Sequence, residues 1–223
     1  EGFERLRDPY MATAVLVQLS TLMGRLNRLE DSDAYATEAL KSAKEVGAAL
    51  FIAESLNGKA EVSRHEGRLE EARAYYEEAR DIAVSIEHRN VIVYELNLGL
   101  ILSKTQRYED AREIFTEQLT RVKNEVWGSL VGVIHCLLIP CCAAANDWEA
   151  FDLHLEAAVK AHSGSQSEPD AASSAQQGAT LAASNGEVER ARRAFELAET
   201  LWQTLGFTQD VQRVREALLG LDT

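Results

Sequence analysis

The sequence is poor in the features that disulfide-linked and membrane proteins need. It contains three cysteines among 223 residues, and all three fall within residues 136–142. An odd number of crowded cysteines makes a poor disulfide framework and fits a reducing compartment, so we expect a cytoplasmic protein. A membrane-spanning helix needs about 18 or more consecutive apolar residues. The longest apolar segment, residues 131–145, is interrupted by His135 and Pro140, so no membrane span is predicted.

Basic side chains are also scarce. The chain has 23 Lys and Arg against 36 Asp and Glu, which gives a formal net charge of −13. Nucleic acids and anionic membranes attract positive surfaces, so the overall field argues against both as partners. A protein or peptide partner of basic character is expected instead. The sequence starts at Glu1 without a basic and apolar leader, which leaves open whether it is a fragment of a larger protein.

Motifs that carry catalysis are missing. There is no glycine-rich phosphate loop, no nucleophile elbow and no His-Glu-x-x-His run, so no enzymatic activity and no cofactor are expected. No Cys-x-x-Cys pair is present, and adjacent cysteines on a helix point about 100° apart. Five soft ligands nevertheless lie close together in the chain: His135, Cys136, Cys141, Cys142 and His154. We interpret them as core residues and predict no metal site.

What the sequence does contain is a repeat. Residues 67–79 read Gly-Arg-Leu-Glu-Glu-Ala-Arg-Ala-Tyr-Tyr-Glu-Glu-Ala, and variants of this stretch recur along the chain. The turn before each copy falls at positions 27, 67, 106, 146 and 186, which by subtraction gives steps of 40, 39, 40 and 40 residues. A fixed period of this size indicates a solenoid of helical hairpins. Four of the five turn residues are of types that tolerate a left-handed backbone: Asn27, Gly67, Asn146 and Gly186. Gln106 is the exception.

Small and bulky residues alternate along one face of the helix that follows each turn. After Gly67 this stripe consists of Leu69, Ala72, Tyr76 and Ala79, at helical intervals of three or four. The same register positions recur in the other copies, with Ser32 and Phe151 as departures from the first alanine: Ala72, Ala111 and Ala191; Tyr76, Phe115, Leu155 and Phe195; Ala39, Ala79, Ala158 and Ala198. We expect each stripe to pack against the preceding helix.

The repeat predicts an all-α solenoid that forms a single domain over residues 1–223. About five hairpins and a C-terminal capping helix are expected, at approximately 9–47, 48–88, 89–126, 127–165 and 166–206, with the cap at 207–223. Asp8 followed by Pro9 marks the start of the first helix. The other leading helices and the helix of the cap are predicted at 48–65, 90–105, 127–145, 169–184 and 209–219.

The repeat resembles the tetratricopeptide repeat family. The resemblance rests on the turn, acidic, small and aromatic series in residues 67–79, on Leu56 and Ala60 upstream, and on Leu98-Gly99 with residues 108–115. It covers roughly residues 9–206, but the period of about 40 exceeds the family's usual 34 residues. The proline that often closes a repeat is absent after Ala79 and Ala198. The resemblance implies a right-handed superhelix whose leading helices line a concave groove for peptides or protein segments.

Polar residues on the leading helices are the candidate binding residues of that groove. The set consists of Asn57, Glu61, Arg64, Asn97 and Lys104. Residues three, four or seven apart share one side of a helix. Asn can donate to and accept from a peptide backbone, and Arg can bind a carboxylate through its fork. The alternative is that these residues only form a solvated inner face.

The fourth leading helix has almost no polar face. Residues 131–144 are nearly all apolar, and a helix that is apolar all round is buried on both sides. Either the fold itself or a partner in the groove must cover it, and we favour the fold. Pro140 removes one backbone donor inside this helix.

The expected function is a non-catalytic scaffold that binds a peptide or protein segment. The alternative is an effector-binding sensory region of a larger bacterial signalling kinase or signal-transduction ATPase. That alternative is motivated by the start of the chain, the long repeats and the apolar fourth helix. The sequence does not define the oligomeric state.

Overall fold

The structure is a computed structural model that describes residues 8–123, 128–162 and 168–221. Within these ranges every regular element is an α-helix, and there are eleven of them. The helices are α1 (Pro9–Arg25), α2 (Leu29–Val46), α3 (Ala49–His65), α4 (Leu69–Ser85), α5 (Val91–Lys104), α6 (Tyr108–Lys123), α7 (Gly128–Ala144), α8 (Trp148–His162), α9 (Pro169–Ser184), α10 (Val188–Leu205) and α11 (Thr208–Gly220). The predicted all-α solenoid with a C-terminal helix is confirmed.

The bounds of the leading helices agree with the sequence pattern to within one residue. Helix α3 begins at Ala49 rather than at 48, α5 is one residue shorter at each end than predicted, and α9 has the predicted bounds. Helix α11 is one residue longer at each end. Trp127, which the pattern assigns to the start of the fourth leading helix, and residues 163–167 of the following connection lie outside the described residues.

The chain divides into two compact units, Glu1–Ile101 and Leu102–Thr223. In the first unit, α1 packs on α2 and α3, α2 on α3, and α3 on α4. The part of α5 that ends at Ile101 packs on α3 and α4 through Tyr94 and Leu98. In the second unit, α7 packs on α6, α8 and α9, while α10 packs on α9 and α11. The single-domain organisation and the handedness of the superhelix stay predictions.

The small and bulky stripe forms the inside of the hairpins. The alanines at its two small positions are fully buried, and so are Tyr76, Phe115 and Leu155 at its bulky position. In the first unit, Tyr76 packs with Ala60 and Ala72 against Leu98. Small residues let the helices approach closely, and the bulky residue fills the space between them.

Ser32, which departs from alanine in the stripe, is buried because its hydroxyl is paired. Its Oγ donates to the backbone carbonyl of Ser20 at 2.9 Å, and the Ser20 Oγ donates to the carbonyl of Ser32 at 3.0 Å. Two buried hydroxyls are thereby satisfied across α1 and α2.

The turn residues take the left-handed backbone that the repeat predicts. Asn27, Gly67, Asn146 and Gly186 have φ between 55° and 80°, and Gln106 joins them with φ 63°. At Gln106, the next amide, that of Arg107, donates to the Leu102 carbonyl at 2.9 Å. This bond closes the end of a helix in the way that left-handed C-terminal residues usually allow. The position in the repeat therefore imposes the conformation even on a residue type that disfavours it.

Replacing Gln106 with glycine should raise the stability of the protein. A side chain in the left-handed region costs about 1–2 kcal/mol, and glycine recovers roughly 1 kcal/mol after its own entropic cost. The midpoint of thermal unfolding, followed by circular dichroism, measures the effect. Gln203→Gly is the matched control because Gln203 is exposed inside α10, where glycine lowers helix stability. Equal effects of the two substitutions would contradict the assignment of strain to Gln106.

Helix α7 is covered by the fold. Residues 132–143 are all buried, and the helices packed around them are α6, α8 and α9. The closest approach is at Gly178 of α9, where an added Cβ would lie 2.4 Å from Ile139 Cγ2 and 3.1 Å from the Pro140 nitrogen. The apolar character of α7 is therefore explained by packing inside the second unit.

Two tryptophans connect neighbouring helices in the second unit. The Trp202 indole Nε1 on α10 donates to Gln176 Oε1 on α9 at 3.1 Å. The Trp148 ring on α8 lies 5.8 Å from the Arg190 guanidinium on α10. Each tryptophan therefore ties its helix to a neighbouring helix of the second unit. Across the described ranges, no helix combines the length and the apolar character that crossing a bilayer demands.

Candidate functional site

A row of polar side chains follows the contact between α3 and α5 in the first unit. On α3 it contains Glu54, Asn57 and Glu61, which share one face because they are spaced three and four residues apart. Asn90, just before α5, and Asn97, seven residues further on, face them. We call these five residues the polar row.

Asn97 is the residue that joins the two helices in this row. Its Nδ2 donates to Asn57 Oδ1 at 3.1 Å and to Glu61 Oε1 at 3.2 Å. At the other end of the row, Asn90 Nδ2 donates to Glu54 Oε1 at 3.4 Å. The row is therefore held together by amide-to-oxygen contacts between the leading helices of successive repeats.

Glu61 is bonded on both of its carboxylate oxygens. Oε2 accepts from Arg64 Nη2 at 2.6 Å, and Oε1 also accepts from the Tyr76 hydroxyl on α4. Only 6% of the Arg64 side chain is exposed, compared with 30% of Glu61. Burial raises the pKa of Tyr76 well above its ordinary value, with the Glu61 charge as a second cause, so its hydroxyl stays a donor. Glu61 thus connects the exposed row to the core beneath it.

Hydrogen-bonding capacity remains on two side chains of the row. Both Nδ2 protons of Asn97 have acceptors, so its Oδ1 remains available as a hydrogen-bond acceptor. The Oδ1 of Asn57 already accepts a hydrogen bond, so its Nδ2 remains available as a donor. Within the described residues, neither of these two atoms makes a hydrogen bond, and both side chains are partly exposed. The row thus presents one amide donor group and one acceptor side by side.

Glu54 gives one end of the row a half-buried carboxyl group. Burial raises the pKa of Glu54 above its ordinary value, and the hydrogen bond from Asn90 offsets part of this rise. A cation that approached Glu54 would stabilise its charged form. This end of the row therefore favours a positively charged group.

The structure brings three of the five predicted groove residues into direct contact: Asn57, Glu61 and Asn97. Arg64 lies beneath them, buried against Glu61. Lys104 is exposed at the last position of α5 and belongs to the second unit.

Two residues of the row, Glu54 and Asn90, were not among the predicted groove residues. The signal was present in the sequence, because Glu54 precedes Asn57 by three positions and Asn90 precedes Asn97 by seven. Helical spacing of polar residues on a leading helix could therefore have identified both.

The histidines and cysteines of the second unit form a different arrangement. His135 Nδ1 and His154 Nδ1 lie 2.8 Å apart, while the three cysteines are buried. Burial raises the pKa of Cys136 and Cys141 to about 12 and that of Cys142 to about 11, so these thiols hold their protons at neutral pH. In the part of the chain that the structure describes, no three His, Cys, Asp or Glu side chains converge as a metal site would require.

Comparisons with known proteins agree with the repeat. The family model described as tetratricopeptide repeat matches residues 51–124, a stretch that contains α4, α5 and α6 and most of α3. The resemblance inferred from the repeat is confirmed there. Among proteins of curated function, none matches the sequence.

Two solved structures are similar in fold. BtubC (BKLC) from P. vanneervenii has a TM-score of 0.55 and 18% sequence identity, over 87% of this chain and 91% of that chain. YrrB, described as a TPR protein with an unusual peptide-binding site, has a TM-score of 0.50 and 15% identity, over 90% of each chain. At these identities the likeness concerns the fold alone.

Proposed function

We propose that this chain is a non-catalytic interaction module that binds a peptide segment along the polar row. The observation that carries the proposal is the unused pair at its centre, Asn57 Nδ2 as donor and Asn97 Oδ1 as acceptor. A peptide backbone presents the complementary carbonyl and amide groups at every residue. An extended segment laid between α3 and α5 can satisfy both.

The charge around the row supports a segment that carries Lys or Arg. Glu54 is half-buried, so a cation on the ligand would stabilise the charged form of its carboxyl group. Arg64 compensates Glu61 locally, so the attraction is strongest at the Glu54 end of the row. The net charge of −13 adds a long-range attraction for basic partners.

The same contacts argue for a binding role rather than catalysis. The ionisable groups that converge here, Glu61, Arg64 and Tyr76, are bonded to one another. Burial keeps the Tyr76 hydroxyl protonated, so it is a poor proton acceptor. The solved neighbour described as having a peptide-binding site, YrrB, also favours a peptide ligand for a fold of this kind.

Replacing Asn57 and Asn97 together with alanine should weaken peptide binding by roughly 5- to 140-fold. Two hydrogen bonds at roughly 0.5–1.5 kcal/mol each correspond to this loss, since 1.4 kcal/mol is a factor of ten. The probe is a Lys-containing peptide selected on the wild-type chain from a random phage-displayed library, and titration calorimetry gives its dissociation constant.

The matched control is Gln203→Ala, which removes an exposed amide from α10. It should leave the affinity unchanged, and circular dichroism should show the same helicity for all variants. An unaltered affinity of the double variant contradicts the assignment of the polar row. If the library yields peptides without basic residues, the expected preference for Lys or Arg is contradicted, but the assignment of the polar row is not.

One observation that motivated the alternative function, an effector-binding sensory region, has another explanation. It was motivated in part by the apolar fourth leading helix, which needs a cover, and in the second unit α6, α8 and α9 supply that cover. The long repeats remain compatible with such a role, but we favour the interaction module because the polar row offers a specific ligand chemistry.

A further inference from the structure

Tyr94 places a hydroxyl group in the core of the first unit without satisfying it. The side chain is 2% exposed, and its ring packs with Ala53 and Leu56 of α3. In the part of the chain that the structure describes, the Tyr94 hydroxyl makes no hydrogen bond. Buried polar groups in folded proteins are normally hydrogen-bonded, because an unpaired one lowers stability. This hydroxyl is therefore a group that a ligand can satisfy.

The Tyr94 hydroxyl lies at the Glu54 end of the polar row. The backbone amide of Tyr94 donates to the Asn90 carbonyl at 3.2 Å, so the two side chains are one helical turn apart on the same face. Burial raises the pKa of Tyr94 to about 12, while the Asn90 side chain lowers it and the charge of Glu54 raises it. The hydroxyl is thus close to the contact between Asn90 and Glu54.

Glu54 has a half-buried carboxyl group that, among the described residues, is not paired with a cation. Its one hydrogen bond comes from Asn90 Nδ2, which donates to Oε1 at 3.4 Å. Such bonds usually measure roughly 2.7–3.2 Å, so the Asn90 amide is held weakly and can shift to admit a ligand. Carboxylates that are withdrawn from water are normally paired. The position therefore suits a cation that the ligand supplies.

We infer that Glu54 and Tyr94, together with Asn90, form a site for the ammonium group of a lysine side chain in the bound peptide. The inference rests on the proposed peptide binding along the polar row and specifies one side chain of that peptide. The ammonium group carries three donors and no acceptor. It can donate to Glu54 Oε2 and to the Tyr94 hydroxyl oxygen at the same time, which pairs the carboxylate and satisfies the buried hydroxyl.

The hydrogen bond from Asn90 favours lysine over arginine at this site. A guanidinium group binds a carboxylate best through two parallel hydrogen bonds, which use both carboxylate oxygens. In Glu54 one of these oxygens already accepts from Asn90. An ammonium group is a compact charge that needs one oxygen from each neighbour, so the remaining oxygen of Glu54 is sufficient for it.

The site lies within reach of a peptide whose backbone is bonded by the two central asparagines. Glu54 precedes Asn57 by three residues, which is about 4.5 Å along α3. Lysine carries its charge on a flexible four-carbon stem, which can cover this distance. The backbone of the peptide can therefore stay between Asn57 and Asn97 while a lysine side chain enters the site.

A double-mutant cycle between protein and peptide tests the site. The probe is the Lys-containing peptide selected on the wild-type chain, in which each Lys is replaced in turn by norleucine or arginine. Norleucine keeps the four-carbon stem but has no ammonium group. At the position that enters the site, norleucine should weaken binding at least about tenfold, which is the value of a hydrogen bond to a charged group. Arginine there should bind more weakly than lysine.

Tyr94→Phe completes the cycle. It should weaken binding of the Lys peptide by roughly 2- to 13-fold, the value of one hydrogen bond, and leave binding of the norleucine peptide unchanged. The midpoint of thermal unfolding of the free protein should not fall, because the removed hydroxyl has no partner there. Tyr35→Phe is the matched control: it removes a hydroxyl from α2, outside the polar row, and should leave both affinities unchanged.

The results for the site and for the proposed function can be told apart. The lysine site is overturned if Tyr94→Phe weakens both peptides equally or neither, if arginine binds as tightly as lysine, or if the selected peptides contain no lysine. The double replacement of Asn57 and Asn97 should weaken the Lys and norleucine peptides alike. If it does so while norleucine has no effect, only the lysine site is overturned. If it has no effect while the cycle shows coupling, only the backbone contacts of the polar row are contradicted.

Discussion

Replacing Glu61 with alanine is expected to lower the free energy of unfolding by about 3 kcal/mol. Its carboxylate binds the Arg64 guanidinium at 2.6 Å, accepts from the Tyr76 hydroxyl and accepts from Asn97 at 3.2 Å. The substitution removes the carboxylate that neutralises the Arg64 guanidinium. Since only 6% of the Arg64 side chain is exposed, water cannot readily solvate that positive charge. The partial exposure of Glu61 places the cost near the lower end of the range for buried pairs.

Chemical denaturation of three further variants separates the contributions. Tyr76→Phe removes one hydrogen bond and should cost about 1 kcal/mol. Glu61→Gln keeps an acceptor but removes the charge, so it should fall between Glu61→Ala and wild type. Glu78→Ala on α4 is the control, because Glu78 is exposed and its replacement should change stability by less than about 0.5 kcal/mol. A loss from Glu61→Ala no larger than that of Glu78→Ala contradicts the structural role of Glu61.

Because Glu61 variants are expected to lose stability, they cannot report on binding alone. Glu61 has three partners within the first unit, so a weakened Glu61 variant reports on folding as much as on any ligand. Asn57 and Asn97 are more informative, because each keeps one hydrogen-bonding group that no described residue uses. Because Asn97 also joins α3 to α5, a loss of affinity in the double variant reports on ligand contacts only where its helicity and stability match those of wild type.

The repeat could be predicted from the sequence because its determinants are local. A turn residue, a small residue five positions later and a bulky residue four positions after that recur in register, as in Gly67, Ala72 and Tyr76. Such a pattern depends on helix geometry alone. The left-handed backbone at Gln106 could not be predicted from its residue type, since the neighbouring helices impose it.

The contacts of the candidate site were only partly predictable. Helical spacing placed Asn57 and Glu61 on one face, and the period of 40 residues placed Asn97 opposite Asn57. The orientation of the long side chain at position 64, outward or inward, depends on which groups the neighbouring helix places in the core beneath it. In the first unit the hydroxyl of Tyr76 and the carboxylate of Glu61 create a buried polar place for Arg64, which no periodicity along one helix can show.

Gly178 gives no sequence signal of its importance, because glycine inside a helix normally lowers stability by about 1 kcal/mol relative to alanine. The reason for it is the close approach of α9 to α7 in the second unit. A Cβ at Gly178 would lie 2.4 Å from Ile139 Cγ2, 3.1 Å from the Pro140 nitrogen and 3.2 Å from the Ile139 carbonyl carbon. Two of these three atoms belong to the backbone of α7 and cannot rotate away.

Gly178→Val is therefore expected to lower the free energy of unfolding by about 3 kcal/mol, at the upper end of the usual cost of overpacking. The β-branched side chain must displace α7 or α9, and both are buried along the contact. Gly58→Ala in α3 is the comparison: the atom nearest to the new Cβ is the Ser20 hydroxyl at 2.9 Å, a side-chain group that can turn away by giving up its hydrogen bond to the Ser32 carbonyl, so a gain in helix propensity offsets part of a smaller loss. Urea denaturation measures both variants. A Gly178→Val protein as stable as wild type would show that the two helices need not approach so closely.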